Sequence, residues 1–253
     1  MTPAASNLRP LRLLIVEDNP FDADLAVNAL QRSGRRLDVV RVETREGFLQ
    51  ELERSPDVIL CDYSLPQFSA PEALDLLKQQ GPDVPFIILS GSIGEETAVD
   101  MIKRGADDYL LKDRIGRLDA AIEHALEQKI LRDEARRAAE HLRQSEFKYR
   151  CLFDHLMDAA FLCDAGTMRI IDTNRQSERL LGLERAGILG TKLTRYFPEE
   201  AIKRLRGLSP EKPDATMKFE VQMTGGGRVQ VNATLITIDQ WHLLLVLVRS
   251  LIS

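Results

Sequence analysis

Five polar residues each stand at the end of a short apolar run. Glu17-Asp18 follow Leu13-Leu14-Ile15-Val16, Asp62 follows Val58-Ile59-Leu60-Cys61, Ser90 follows Phe86-Ile87-Ile88-Leu89, and Lys112 follows Tyr109-Leu110-Leu111. Three carboxylates converging at one edge repel one another unless a hard cation lies among them, and oxygen donors with few protein ligands suit Mg²⁺. An ammonium and a hydroxyl beside that cation make a site for a doubly charged phosphoryl group, which needs positioning and neutralisation more than covalent help. A carboxylate held there can act as the nucleophile and become an acyl phosphate. Taken singly, each residue also fits a cap, a turn or a solvated surface position. Their joint placement is what points to phosphoryl chemistry. No G-x-G-x-x-G follows the first run, which argues against a dinucleotide site.

That convergence requires the apolar runs to be strands of one sheet. Leu13 to Val16, Asp38 to Val40, Val58 to Cys61, Phe86 to Leu89 and Tyr109 to Leu111 read as five buried strands. Between them, Ala23 to Arg32, Phe48 to Arg54, Glu72 to Gln79 and Glu95 to Lys103 carry apolar residues at helical spacing. The alternation predicts an α/β doubly wound, five-stranded parallel sheet with helices on both faces. In such sheets a ligand sits at the carboxyl ends of the strands, beside the point where strand order reverses.

From Leu118 to about Leu152 the pattern is helical. Leu131, Ala135, Ala138, Leu142, Ser145, Tyr149 and Leu152 keep a 3-4 spacing. They form either a weak coiled-coil seam, since alanine and serine occupy part of it, or a solvated linker helix; both are rigid connections. Beyond Cys151 the pattern becomes α+β. Ala160 to Cys163 and Arg169 to Ile171 read as strands, Arg175 to Leu181 and Glu199 to Leu205 as helices. Thr216 to Met223, Arg228 to Ile238 and Trp241 to Val248 read as an antiparallel set joined by hairpin turns at Thr224 to Gly227 and Asp239-Gln240.

Composition narrows the function classes. The net charge of −5 splits into −6 over residues 1–118, zero over 119–150 and +1 over 151–253. No segment has the basic excess that binding a phosphate backbone needs, so no nucleic-acid partner is expected. The run Leu243 to Val248 is far shorter than the roughly 18 residues of a membrane span, and Met1 to Arg12 lack an apolar leader core. Three cysteines (Cys61, Cys151, Cys163) in no metal spacing fit a reducing compartment, and a cytoplasmic location is expected.

Residues 11 to about 128 resemble the receiver domain of bacterial two-component response regulators. The matching residues are Glu17-Asp18, Asp62-x-x-Leu65-Pro66, Ser90-Gly91, and Gly105-Ala106-Asp107-Asp108-Tyr109 leading to Lys112. The resemblance implies a flavodoxin-like fold in which Asp62 is the phosphoacceptor. It implies Mg²⁺ held by Asp18, Asp62 and the carbonyl of Ser64, with Glu17 assisting through water. Lys112 and Ser90 would each bind a phosphoryl oxygen, and Tyr109 would be an aromatic switch that responds to Ser90. Two positions depart from the family. Asp113 stands where proline usually follows the lysine, which implies a trans bond or a changed loop, because a cis bond before a non-proline residue costs about 2.5–4 kcal/mol. Ser69-Ala70 replace the usual Asp-Gly and alter the start of the third helix.

Residues 146–249 resemble a PAS domain, through Phe147-Lys148-Tyr149-Arg150-x-Leu152-Phe153, Asp158-Ala159-Ala160-Phe161, Ile171-x-x-Thr173-Asn174, Leu180-Leu181-Gly182 and the closing strands. Such domains hold haem, flavin or a small ligand, or dimerise. No Asn-Cys-Arg-Phe flavin setting is present, and residues 156–241 contain no histidine to ligate haem. No PAS cofactor is therefore expected. Cys61 and Cys163 are expected in cores, as are Trp241 and Phe219, with His155 and His242 half-buried. His141 reads as linker surface.

The expected organisation is a receiver domain over 9–128, a linker helix over 118–150 and a PAS sensor or dimerisation domain over 146–253. The expected function is a non-enzymatic, homodimeric response regulator that takes a phosphoryl group from a partner histidine kinase or phosphotransfer protein and relays the change to its PAS domain. Two alternatives remain open: the regulatory part of a larger histidine kinase or cyclic-dinucleotide synthase, and a PAS small-molecule sensor coupled to the receiver.

Overall fold

The structure, a computed structural model, describes residues 9–66, 68–91, 94–208 and 216–251. The chain divides after Ala139 into two compact units, each with its own five-stranded sheet.

In the first unit, β1 (Leu11–Val16), β2 (Leu37–Val42), β3 (Val58–Asp62), β4 (Phe86–Ser90) and β5 (Asp108–Leu111) are parallel, in the order β2-β1-β3-β4-β5. Every residue of β3 and β4 is buried, as expected of central strands covered on both sides. Helices α1 (Pro20–Arg32), α2 (Arg45–Glu53), α3 (Ala70–Gln80), α4 (Glu95–Lys103) and α5 (Leu118–Asp154) alternate with the strands. The period of two sorts the side chains. Leu13, Ile15, Leu60 and Ile87 pack with Ala26 and Leu30 of α1 and with Leu118 and Ile122 of α5. Leu14, Val16, Ile59 and Ile88 pack on the other face with Phe48 of α2, Leu74 of α3 and Met101 of α4. Strand order reverses at β1, between its neighbours β2 and β3.

The changed residues before α3 have a local explanation. Ser69 Oγ accepts from the Glu72 N–H, and the Glu72 carboxylate accepts from the Ser69 N–H at 2.9 Å. This reciprocal cap, worth about 1 kcal/mol, starts the helix where the family's Asp-Gly would stand. After β5 the chain enters a 3₁₀ turn, Lys112–Arg117, and the Lys112–Asp113 bond is trans.

In the second unit, β6 (Ala159–Asp164), β7 (Ile170–Thr173), β8 (Thr216–Gln222), β9 (Arg228–Ile238) and β10 (Trp241–Ser250) are antiparallel, in the order β7-β6-β10-β9-β8. The short helices α6 (Arg175–Leu181), α7 (Arg185–Ile188) and α8 (Glu199–Arg206) lie between β7 and β8 in the chain. Phe161, Cys163, Val231, Leu244 and Val246 form one core with Ile188, Phe197 and Ile202. Neither α7 nor the 3₁₀ turn Leu193–Arg195 carries enough apolar periodicity to be read from sequence.

Two expectations need correction. Trp241 does not fill a core: it is 59% exposed, whereas Phe219 is buried. The reason is parity. Leu244, Val246 and Val248 of β10 face the core, so Trp241 projects from the opposite face, at the outer end of the hairpin. His155 and His242 are exposed, not half-buried. The chain end Ile252-Ser253 and most of the stretch Met1 to Arg12 lie outside the described residues.

Candidate functional site at the strand ends

The carboxyl ends of β1, β3 and β4 bring the expected acceptor residues to one edge. Glu17 is buried directly after β1, and its N–H donates to Val42 O of β2, which continues the ladder past the strand. Asp18, next in the chain, is exposed. Asp62 is the last residue of β3 and Ser90 the last of β4; both are buried. One carboxylate oxygen from each of Glu17, Asp18 and Asp62 lies within 4.8 Å of the others, so these three could hold a metal ion. Ser64 stands exposed in the loop two residues beyond Asp62, outside this carboxylate group.

Lys112, the first residue of the 3₁₀ turn after β5, closes the cluster. Its Nζ lies 3.0 Å from Asp62 Oδ1 and donates to Glu17 Oε2 at 2.8 Å. It also donates to Asp22 Oδ2 at 2.7 Å. Burial alone pulls the ammonium pKa down, but its hydrogen bonds to Asp22, Glu17 and Asp62 outweigh it and hold the pKa above the ordinary lysine value. Burial is also the main influence on Glu17 and raises its pKa, against the lowering pull of Lys112 and the Asn19 N–H. The changed residue after the lysine therefore leaves its reach intact.

The switch candidates lie on adjoining strands. Tyr109 pairs in register with Ile88, and Ser90 is two residues further along β4, so both project from the same face of the sheet. Tyr109 is partly buried against the core on the α2, α3 and α4 side. Behind Asp62, the Cys61 thiol is fully buried, and burial pushes its pKa well above the ordinary value, leaving it an inert core residue.

Sequence reasoning missed two participants. Asp22 lies in the first turn of α1, where an acid is unremarkable on any helix. Arg41 sits at the end of edge strand β2, and its Nη1 donates to the carbonyls of Glu17 and Asp18 at 2.7 and 3.2 Å, which anchors the acidic pair. Nothing in the local sequence marks Arg41, because its partners lie on another strand.

The second unit has a charged node of its own. Asp172 of β7 accepts from Tyr149 Oη at 2.9 Å, from both terminal nitrogens of Arg150 at 3.2 and 3.1 Å, and from Arg185 Nη2 at 2.7 Å. Burial raises the Asp172 pKa, but these donors and the Thr173 N–H outweigh it and leave it lowered. Tyr149 is pushed up to about 12, by burial first and then by Asp172.

No helix among the described residues is long and apolar enough to cross a membrane. Residues 13–123 match the response regulator receiver domain, and residues 148–216 match a PAS domain. Over the first region the chain is 37% identical across 128 residues to the nitrogen assimilation regulatory protein NtrX of Azorhizobium caulinodans, covering 49% of this chain and 28% of that protein. It is 33% identical across 112 residues to the nitrate/nitrite response regulator protein NarL of Escherichia coli, covering 43% and 50%. It is 37% identical across 116 residues to the KDP operon transcriptional regulatory protein KdpE of the same species, covering 45% and 50%. The chain thus spans half or less of the length of these relatives. It carries a response regulator receiver domain followed by a PAS domain.

Proposed function

We propose that this protein is a response regulator of a two-component system in which Asp62 accepts a phosphoryl group from a partner sensor histidine kinase or phosphotransfer protein. One observation carries the reading: the Lys112 ammonium lies 3.0 Å from Asp62 Oδ1, at the edge where Glu17, Asp18 and Asp62 converge. An Asp62 oxygen attacks phosphorus, and the P–N bond to the donor imidazole breaks. The imidazole nitrogen keeps the bonding electron pair, and an acyl phosphate forms on Asp62. Lys112 and the Ser90 hydroxyl take up phosphoryl oxygens, and Tyr109 answers the movement of Ser90.

The donor set fits Mg²⁺: three carboxylates, one exposed and two buried, bring hard oxygen ligands within one ion's reach. Asp18 and Asp62 would hold the ion with the Ser64 carbonyl, and Glu17 would act through water. When bound, the ion neutralises charge on the transferring group. Arg41 keeps the acidic pair in place through its two backbone bonds.

The phosphoryl group ends on the protein itself, so apart from hydrolysis of its own acyl phosphate the chain turns over no substrate. The PAS domain receives the change as a shift between two populated states, which requires the phosphoryl group to interact differently with each. Exposed Leu131, Leu142 and Leu152 on α5 favour a homodimer through that helix. The proposal includes a cytoplasmic location and a protein partner in place of a nucleic acid. The test is incubation with Mg²⁺ and acetyl phosphate, read by intact mass and light scattering. A single phosphoryl adduct that is absent from Asp62→Asn is expected. An adduct that persists in Asp62→Asn, or none on the wild type, overturns the reading.

A further inference from the structure

We propose that Asp22 is a positioning residue for Lys112, holding the ammonium over the acceptor edge before the phosphoryl group arrives. The proposal rests on the reading of Asp62 as phosphoacceptor and adds to it a residue outside the metal-binding group.

A lysine ammonium has three donors on a flexible four-carbon stem, and by itself the stem leaves the head free to move. Here the three donors meet three acceptors on three elements: Glu17 after β1, Asp62 at the end of β3, and Asp22 on α1. These contacts are not equivalent. Glu17 and Asp62 belong to the carboxylate group that could hold a cation, and Asp62 is also the atom to be phosphorylated. Both are committed to other work once the site is loaded. Asp22 lies outside that group, so neither cation binding nor phosphorylation claims its carboxylate.

A first-turn acid is ordinarily explained by the helix dipole alone. Two observations separate Asp22 from that explanation. Its Oδ2 is aimed at Lys112 at 2.7 Å, the shortest of the lysine's three contacts, and the N-terminal capping bond is made instead by Asn19, which accepts from the Phe21 N–H. The lysine also opens a 3₁₀ turn with Asp113 as the next residue, so the loop carries no proline there to fix its backbone. A side-chain tether from α1 supplies the constraint, and displacement of a reacting group by about 1 Å costs on the order of a hundredfold in rate.

The experiment compares Asp22→Ala and Asp22→Asn with the wild type. Asparagine keeps an oxygen that can accept from Lys112; alanine does not. Two readouts are taken: the rate of Asp62 phosphorylation by acetyl phosphate with Mg²⁺, and the Nζ resonance of Lys112 in ¹⁵N-lysine-labelled protein, assigned by its loss in Lys112→Arg. The expected result is a rate about tenfold lower in Asp22→Ala with most of it kept in Asp22→Asn. The Lys112 resonance should persist in the asparagine variant and broaden away in the alanine variant. Wild-type rates and an unchanged resonance in Asp22→Ala overturn the proposal, even if helix α1 is less stable. Faster phosphorylation in both variants also overturns it, because Asp22 would then compete for Lys112 instead of placing it. If the wild type takes no phosphoryl group, the reading of Asp62 falls, and the resonance alone decides the role of Asp22.

Discussion

Lys112 Nζ and Glu17 Oε2 lie 2.8 Å apart, although 95 residues of chain separate them. The pair is largely buried: the Glu17 side chain is 3% exposed and that of Lys112 18%. Lys112 thereby offsets the cost of burying the Glu17 carboxylate, pulling against the upward shift that burial gives its pKa.

Removing the ammonium tests that dependence. Lys112→Met leaves Glu17 and Asp62 side by side without their cation. The variant should lose about 2 kcal/mol of stability in chelator, the cost of an unsatisfied buried charged group. Mg²⁺ should restore part of the loss, because it supplies positive charge at the same place. Denaturant titrations in EDTA and in excess Mg²⁺ measure both effects; an equal loss in the two conditions would show that cation and lysine do not share a site.

Chelation should stop adduct formation without unfolding the protein, and Mg²⁺ should restore it. Asp18 is the exposed member of the carboxylate group. Asp18→Asn should therefore change stability by no more than about 0.5 kcal/mol while raising the Mg²⁺ concentration needed for half-maximal phosphorylation. Intact mass across a Mg²⁺ series reads the shift.

In the second unit, Tyr149 gives an alkaline prediction. Its pKa is raised from 10 to about 12 by burial and by the Asp172 carboxylate. The folded state therefore holds the phenol proton more tightly than the unfolded chain does. The resulting stability is complete below pH 10 and is lost as the pH rises toward 12. Tyr149 is 42% exposed, so solvent screening reduces the contribution to about 1 kcal/mol at most. The stability difference between wild type and Tyr149→Phe should shrink over that interval; a pH-independent difference would contradict the assignment.

Arg132 fastens α5 to the first unit. Its guanidinium donates to both oxygens of Asp83 at 3.2 and 3.0 Å and to Asp107 Oδ1 at 3.0 Å, while the other Asp107 oxygen accepts from the Phe86 N–H at the start of β4. Arg132→Ala should cost only about 1 kcal/mol, since the arginine side chain is 43% exposed. Hydrogen exchange should nevertheless accelerate around residues 126–136. Unchanged exchange there would show that the apolar contacts of Ile122 and Ala125 suffice.

Much of the fold was legible because it rests on local period. The runs Val58 to Cys61 and Phe86 to Leu89 are continuous apolar strands for a simple reason: a central parallel strand has no wet face. Short elements were not legible. Helix α7 has four residues and cannot display a helical period. Trp241 misled because aromatic character suggests burial, while its side of β10 depends on register with β9 and on where the hairpin ends.

The sequence by itself determined which chemistry the strand ends could support. Acid, hydroxyl and ammonium stand directly after apolar runs, and a parallel sheet must carry those ends to one edge. It also determined the change from an alternating βα pattern to an antiparallel one near the long helix. Only the tertiary structure decided which groups meet. Asp22 and Arg41 are ordinary residues in their own segments, and they become parts of the site because α1 and β2 place them against Lys112 and the Glu17-Asp18 backbone. Local sequence sets the backbone period and the available functional groups, whereas a hydrogen bond requires separations of about 3 Å that only the packing of distant elements can fix.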